Sequence, residues 1–224
     1  MGGWRITRAS MEAWAEALEA RRLGALGVST EYVVEGPADV DFRRKTLAVD
    51  ALLADLRVSV TGDAWVLLVA HSSGAHVAAT LLRRALRAGE GLRGRFVYVD
   101  LDGDRGIAGD PERTLDDASM AMTRRVIFVT PDDPVRGLRG YSRAAMEEGH
   151  RRFAARSELL TYDASGAGCA TDDCAHLALI NTRPSSRGNA SYARFDAGPV
   201  NTAWLSAAER WLTAPAALVI PSAR

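Results

Sequence analysis

The sequence predicts an α/β fold with a mostly parallel central sheet. Three observations carry that expectation. Unbroken apolar runs suit strands buried on both faces, as in Trp65-Val66-Leu67-Leu68-Val69-Ala70, Phe96-Val97-Tyr98-Val99 and Val126-Ile127-Phe128-Val129. Between them lie stretches with apolar residues at three- and four-residue spacing, the pattern of helices packed on one side. Residues able to do chemistry fall at or just past the strand ends: Ser72, Asp100, Asp102, Asp132, Asp133 and His176. In a parallel sheet covered by helices, ligands gather at that carboxyl edge. The expected architecture is a three-layer α/β sandwich forming one domain over residues 1–224.

Ser10 to Leu23 reads as a helix, capped by Ser10, striped by Met11, Trp14, Ala15, Leu18 and Leu23, and broken by Gly24 and Gly27. Glu31 to Glu35 is a short strand closed by Gly36-Pro37. Leu47 to Leu56 is a second amphipathic helix. The Trp65 strand turns at Ser72 into a helix over Val77 to Arg87. Arg95 to Asp100 is the next strand, running into Leu101-Asp102-Gly103-Asp104, with helical residues near Leu115 to Met122. Arg125 to Val129 ends at Thr130-Pro131-Asp132-Asp133-Pro134. A helix over Ser142 to Phe153 and a last strand over Glu158 to Tyr162 follow. A long loop from Asp163 to Asp173 leads to Cys174-Ala175-His176, and the polar stretch holding Asn181, Arg183 and Tyr192 reads as solvated loop, with substrate contact as the alternative. Asn201 to Leu212 is a closing helix with Trp204, Leu205, Ala208 and Trp211 inward, before a loosely held Ala- and Pro-rich tail.

Composition narrows the function classes. A chain of 224 residues suits one domain with a real core. Lys plus Arg and Asp plus Glu both number 28, so the formal net charge is zero and gives no electrostatic case for nucleic acid or an anionic membrane. No apolar run is long enough for a membrane span. The start, Met1-Gly2-Gly3-Trp4-Arg5, does not read as a signal peptide, which leaves two expectations: a cytoplasmic protein, or a secreted one whose signal was removed. Cys169 and Cys174 bear on that choice, since a small loop disulfide favours export and two free thiols favour the cytosol. Two thiols make a poor metal site. His71 and His76 have no carboxylate at a recognised ligand spacing, so no metal and no cofactor is expected.

The segment Ala70-His71-Ser72-Ser73-Gly74-Ala75 puts a serine at the tip of a strand–turn–helix. A serine presented above a sheet needs a strained backbone. The residues two before and two after it come close across the turn, so both must be small, as Ala70 and Gly74 are. This turn resembles the nucleophile elbow of the α/β-hydrolase superfamily of serine hydrolases, often written G-H-S-x-G-A, with Ala70 in place of the first glycine. The resemblance implies an α/β-hydrolase-like sheet. No antiparallel hairpin precedes the first crossover, so the fold expected is a minimal, cutinase- or esterase-like core trimmed at the N-terminus. The resemblance also implies an oxyanion hole with one donor from the Ser73 N–H. The second comes from the loop after the early strand, where Glu35-Gly36-Pro37-Ala38 replaces the usual His-Gly. Pro37 has no N–H, which leaves Gly36 or Ala38.

A serine hydroxyl needs a base within reach, and the base needs an acid to fix its tautomer. The chain has four histidines. His71 is expected to point away from the elbow tip, His76 to pack or cap locally, and His150 to lie in a helix remote from the strand ends. His176 follows the last strand, where the superfamily places its histidine, although a loop histidine also commonly satisfies a backbone carbonyl. The superfamily order of serine, acid, histidine makes Asp133 the best-matching acid. Asp102, one strand earlier, is its rival. Asp100 still belongs to a strand, Asp132 suits a turn, and Asp172 and Asp173 lie between the cysteines. The activity implied is two-step acyl transfer from an ester, thioester or amide to Ser72, with a small-molecule or acyl substrate. The alternatives are an acyltransferase or biosynthetic thioesterase, and a non-catalytic binding protein on a hydrolase scaffold. Oligomeric state is left open by the sequence.

Overall fold

The structure, a computed structural model, describes residues 42–62, 64–72, 74–103, 120, 122–131, 140–162, 176, 179, 182–184, 190–192 and 199–213. Helix α1 (Phe42–Ser59) precedes strand β1 (Val66–His71), helix α2 (Gly74–Ala88), strand β2 (Phe96–Leu101) and strand β3 (Thr123–Pro131). Helix α3 (Gly140–Arg152), strand β4 (Ser157–Tyr162), the short strands β5 (Thr182–Pro184) and β6 (Ala190–Tyr192), and helix α4 (Pro199–Thr213) complete the order. The expected helix at Ser10–Leu23, the strand at Glu31–Glu35 and both cysteines lie outside the described residues.

Strands β1 to β4 form a wholly parallel sheet in the order β1-β2-β3-β4. Each strand is added on the same side of the one before. Right-handed crossovers then carry successive connecting helices to one face of the sheet. The packing agrees. Leu68, Ala70, Phe96, Tyr98, Val126 and Phe128 form one core with Val49 and Leu53 of α1, five residues of α2 from Ala78 to Ala85, and Met146 of α3. The alternate strand residues Val97, Val99, Leu101, Ile127 and Val129 point the other way by the two-residue period of a strand, and they too are buried. Helix α4 packs across β2, β3 and β4, burying Trp204, Leu205, Ala207 and Ala208. Burial on both faces explains why the strands read as continuous apolar runs rather than as alternating ones.

Two details fix how tightly the layers meet. A Cβ on Gly149 of α3 would stand 3.0 Å from the Phe128 ring, so any side chain there requires the ring to give by a few tenths of an ångström. At the amino edge of the sheet, arginines cap loop carbonyls: Arg95 donates to Ala64 O and Arg125 to Ala155 O, while Arg124 lies over the Trp65 ring at 4.4 Å. The amino edge is thus occupied by its own side chains, and the carboxyl edge carries the turns after β1 and β2. The polar stretch after His176, read from sequence as loop, contains the antiparallel ribbon of β5 and β6. No helix among the described residues is long and apolar enough to cross a membrane. Phe128 is fully buried, so Phe128→Ala should cost about 3–5 kcal/mol in unfolding free energy, measured by urea denaturation.

Candidate active site

Strand β1 ends at His71 and helix α2 begins at Gly74, which leaves the reversal of direction to two residues. Ser72 takes it in the left-handed region, with φ 56°. That conformation costs an L-residue roughly 1–2 kcal/mol, so neighbouring contacts must hold it. The Ser72 N–H donates to Leu101 O at 3.1 Å, prolonging the β1–β2 ladder by one residue, and Ser72 O accepts from the Ala75 N–H at 3.0 Å as the helix opens. Ala70 and Gly74 are both buried beneath the turn. Ser72 itself is half-buried.

The end of β2 repeats the device. Asp102 is the other non-glycine residue described with positive φ, at 47°, and its N–H donates to Val129 O at 2.8 Å. Two residues earlier, Asp100 Oδ1 accepts the Gly103 N–H at 2.9 Å and closes the turn around Asp102. The turn is packed without spare room. A Cβ on Gly103 would lie 2.1 Å from Asp100 Oδ1 and 2.7 Å from the Ala75 Cβ. Asp100 therefore sits by the first turn of α2, where a helix N-terminus favours negative charge.

His176 reaches this edge from 74 residues further along the chain. Its Nδ1 is 2.6 Å from Asp102 Oδ2, and both side chains are almost wholly buried. A carboxylate accepts, so Nδ1 donates, and the basic lone pair of the ring is left on Nε2. The main chain of His176 is held as well: His71 Nε2 donates to His176 O at 2.8 Å. The two imidazole rings lie 4.3 Å apart, centroid to centroid, at 38°. His176 thus stands against the residue immediately before Ser72. An imidazole whose Nδ1–H is held by a buried carboxylate is chemically equipped as a general base at Nε2.

The structure brings Asp102 and His176 together and sets His71, next to Ser72, against them. Asp133, Asp132, Asp172 and Asp173 lie outside the described residues, as do Ser73, Gly36 and Ala38, the expected sources of oxyanion donors. Asp100 is within β2 and accepts the Gly103 N–H of the turn that follows. His150 is on α3 with Nδ1 2.9 Å from Ser157 Oγ, at the opposite end of the sheet, and His76 is buried in the first turn of α2. His71 departs from expectation: it is buried in the site rather than turned away from it. The signal was present in the two-residue strand period, which puts His71 on the face of Val69, opposite Ala70. Among the described residues no group of His, Cys, Asp and Glu is placed to hold a metal ion. Comparison with family models, with curated proteins and with solved structures gave no match.

Gly103→Ala should force the Asp102 turn open and cost about 1–3 kcal/mol of stability, the range for inserting a methyl where there is no room. Differential scanning calorimetry reads the effect, and an unchanged melting temperature would show that the turn yields freely.

Proposed function

We propose that the protein is a serine hydrolase of the α/β-hydrolase type, acting on an ester, thioester or amide through an acyl-serine at Ser72. One observation supports this above the others: the buried His176–Asp102 pair, built at the carboxyl edge of a parallel sheet beside a serine in a left-handed strand-to-helix turn. In this reading His176 Nε2 takes the proton from the Ser72 hydroxyl as Oγ attacks the carbonyl carbon. Asp102 holds the ring in the required tautomer and stabilises the imidazolium that forms. The Ser73 N–H, next along the chain after the nucleophile, is the proposed donor to the oxyanion. Collapse of the tetrahedral intermediate passes the proton from His176 to the leaving group. Water then gives a proton to His176 as its oxygen attacks the acyl carbon, and collapse breaks the bond to Ser72 Oγ, which takes that proton back as the acid leaves. Between the two aspartates left open by sequence, the 2.6 Å contact favours Asp102 as the acid.

A fluorophosphonate probe and a p-nitrophenyl ester test the reading without knowledge of the natural substrate. The wild-type protein should be labelled at Ser72 and turn the ester over, and Ser72→Ala should do neither while melting normally. Unlabelled wild-type protein would instead favour a binding protein on this scaffold. Asp102→Asn should lose roughly four orders of magnitude in turnover, because the amide holds the wrong tautomer. Asp133→Asn should stay near wild type, and the reverse ranking would move the acid to the end of β3.

A further inference from the structure

We infer that His71 is a positioning residue: by holding the main chain of His176 it keeps that residue's ring on Asp102 and fixes where its Nε2 lies. The inference rests on the reading of Ser72, His176 and Asp102 as the reacting groups. Four features of the geometry carry it. The His176 carbonyl can only accept, so at 2.8 Å the His71 Nε2 must bear the proton and donate. The contact spans 105 residues of chain and is buried, with His71 only 1% exposed, so it ties the strand bearing the nucleophile directly to the segment bearing the base. His71 stands next to Ser72 at the end of a paired strand, where its backbone cannot drift: it is in register with Leu101, whose carbonyl also takes the Ser72 N–H. Finally, the ring contact at 4.3 Å places a flat wall beside the His176 imidazole and limits its rotation about the Asp102 bond.

Asp102 alone cannot do this. One hydrogen bond to Nδ1 leaves the ring free to swing as its backbone moves, and Nε2 sweeps with it. Fixing the main chain at a second point removes that freedom. A misplacement of about 1 Å in a reacting group can cost on the order of 100-fold in rate, so the second anchor has consequences for the chemistry and not only for stability.

Two variants separate the donor from the ring. His71→Gln retains an N–H near the position of Nε2 and loses the aromatic wall; His71→Phe retains the wall and loses the donor. The readouts are the rate of fluorophosphonate labelling at Ser72, the low-field proton resonance of the His176 Nδ1–H on Asp102, and the melting temperature. His71→Phe should label about 100-fold more slowly and lose or shift the low-field resonance. His71→Gln should recover most of both. Labelling at the wild-type rate in His71→Phe, with the resonance unmoved, would overturn the inference, as would equal loss in both variants at unchanged melting temperature. Should His71→Phe not fold, nitrogen-15 spectra of the wild-type imidazoles still decide: a protonated Nε2 on His71 is required, and an unprotonated one overturns the donor role. Wild-type protein that shows the protonated Nε2 and the low-field resonance but no labelling would overturn the hydrolase reading, with the His71 clamp standing as geometry.

Discussion

The contact between His176 Nδ1 and Asp102 Oδ2 is the constraint on which the carboxyl edge of the sheet depends. A carboxylate buried as deeply as Asp102 is costly unless a donor meets it. The donor comes from a segment 74 residues away, after two further strands have been laid down. Bringing such distant segments together is less expensive than it looks, because the entropy of loop closure grows only logarithmically, by about 0.6 kcal/mol per doubling of length. What is demanding is the direction of approach. The segment must return over the sheet at the height of the strand ends, and a second hydrogen bond, from His71 to the His176 carbonyl, fixes it there.

Sheet topology makes that meeting possible. Because β1 to β4 are parallel and added in one direction, their carboxyl ends form a single rim, with Ser72, Asp102 and Pro131 at its first three positions. Helices α2 and α3 fall on one face and α4 packs on the other across β2, β3 and β4, while the rim carries the turns after β1 and β2. The opposite rim is taken by arginines bonded to loop carbonyls. Strand direction separates the two rims: the left-handed turns after β1 and β2 lie on one and the arginine caps on the other.

The strands were legible because burial on two faces leaves an apolar run that no amphipathic helix shows, and the helices because their stripes have the right period. Their ends were not: α1 begins at Phe42 and α2 at Gly74, five and three residues before the Leu47–Leu56 and Val77–Arg87 spans that the stripes mark. The sharp turn at Ser72 was legible because a strand that reverses at once into a helix needs small neighbours such as Ala70 and Gly74. The partner of His176 was not. Both β2 and β3 end near aspartates, and local sequence cannot say which strand end a loop arriving from beyond β4 will pass over. For His71 the strand period assigns the face, since it alternates with Ala70, but nothing in local sequence says that a segment 105 residues on will return to meet it. The β5–β6 ribbon has only three residues per strand, too few for any periodic pattern to stand out from a polar loop.

The segment from Asp100 to Gly103 shows how two identical side chains acquire different work. Asp100 follows Phe96 and Tyr98 in the pleat and so points toward the helices, where it accepts the Gly103 N–H beside the first turn of α2. Had the chain stayed extended, the same alternation would have turned Asp102 that way as well, placing two carboxylates on one face and none by the histidine. The left-handed φ of 47° breaks the alternation at the one residue where it must be broken. Gly103 is what allows the chain to close after it, since any side chain there would meet the Asp100 carboxylate. Asp100 and Gly103 therefore set the direction of Asp102, and the left-handed turns after β1 and β2 are one backbone solution used twice, at neighbouring positions on the same rim.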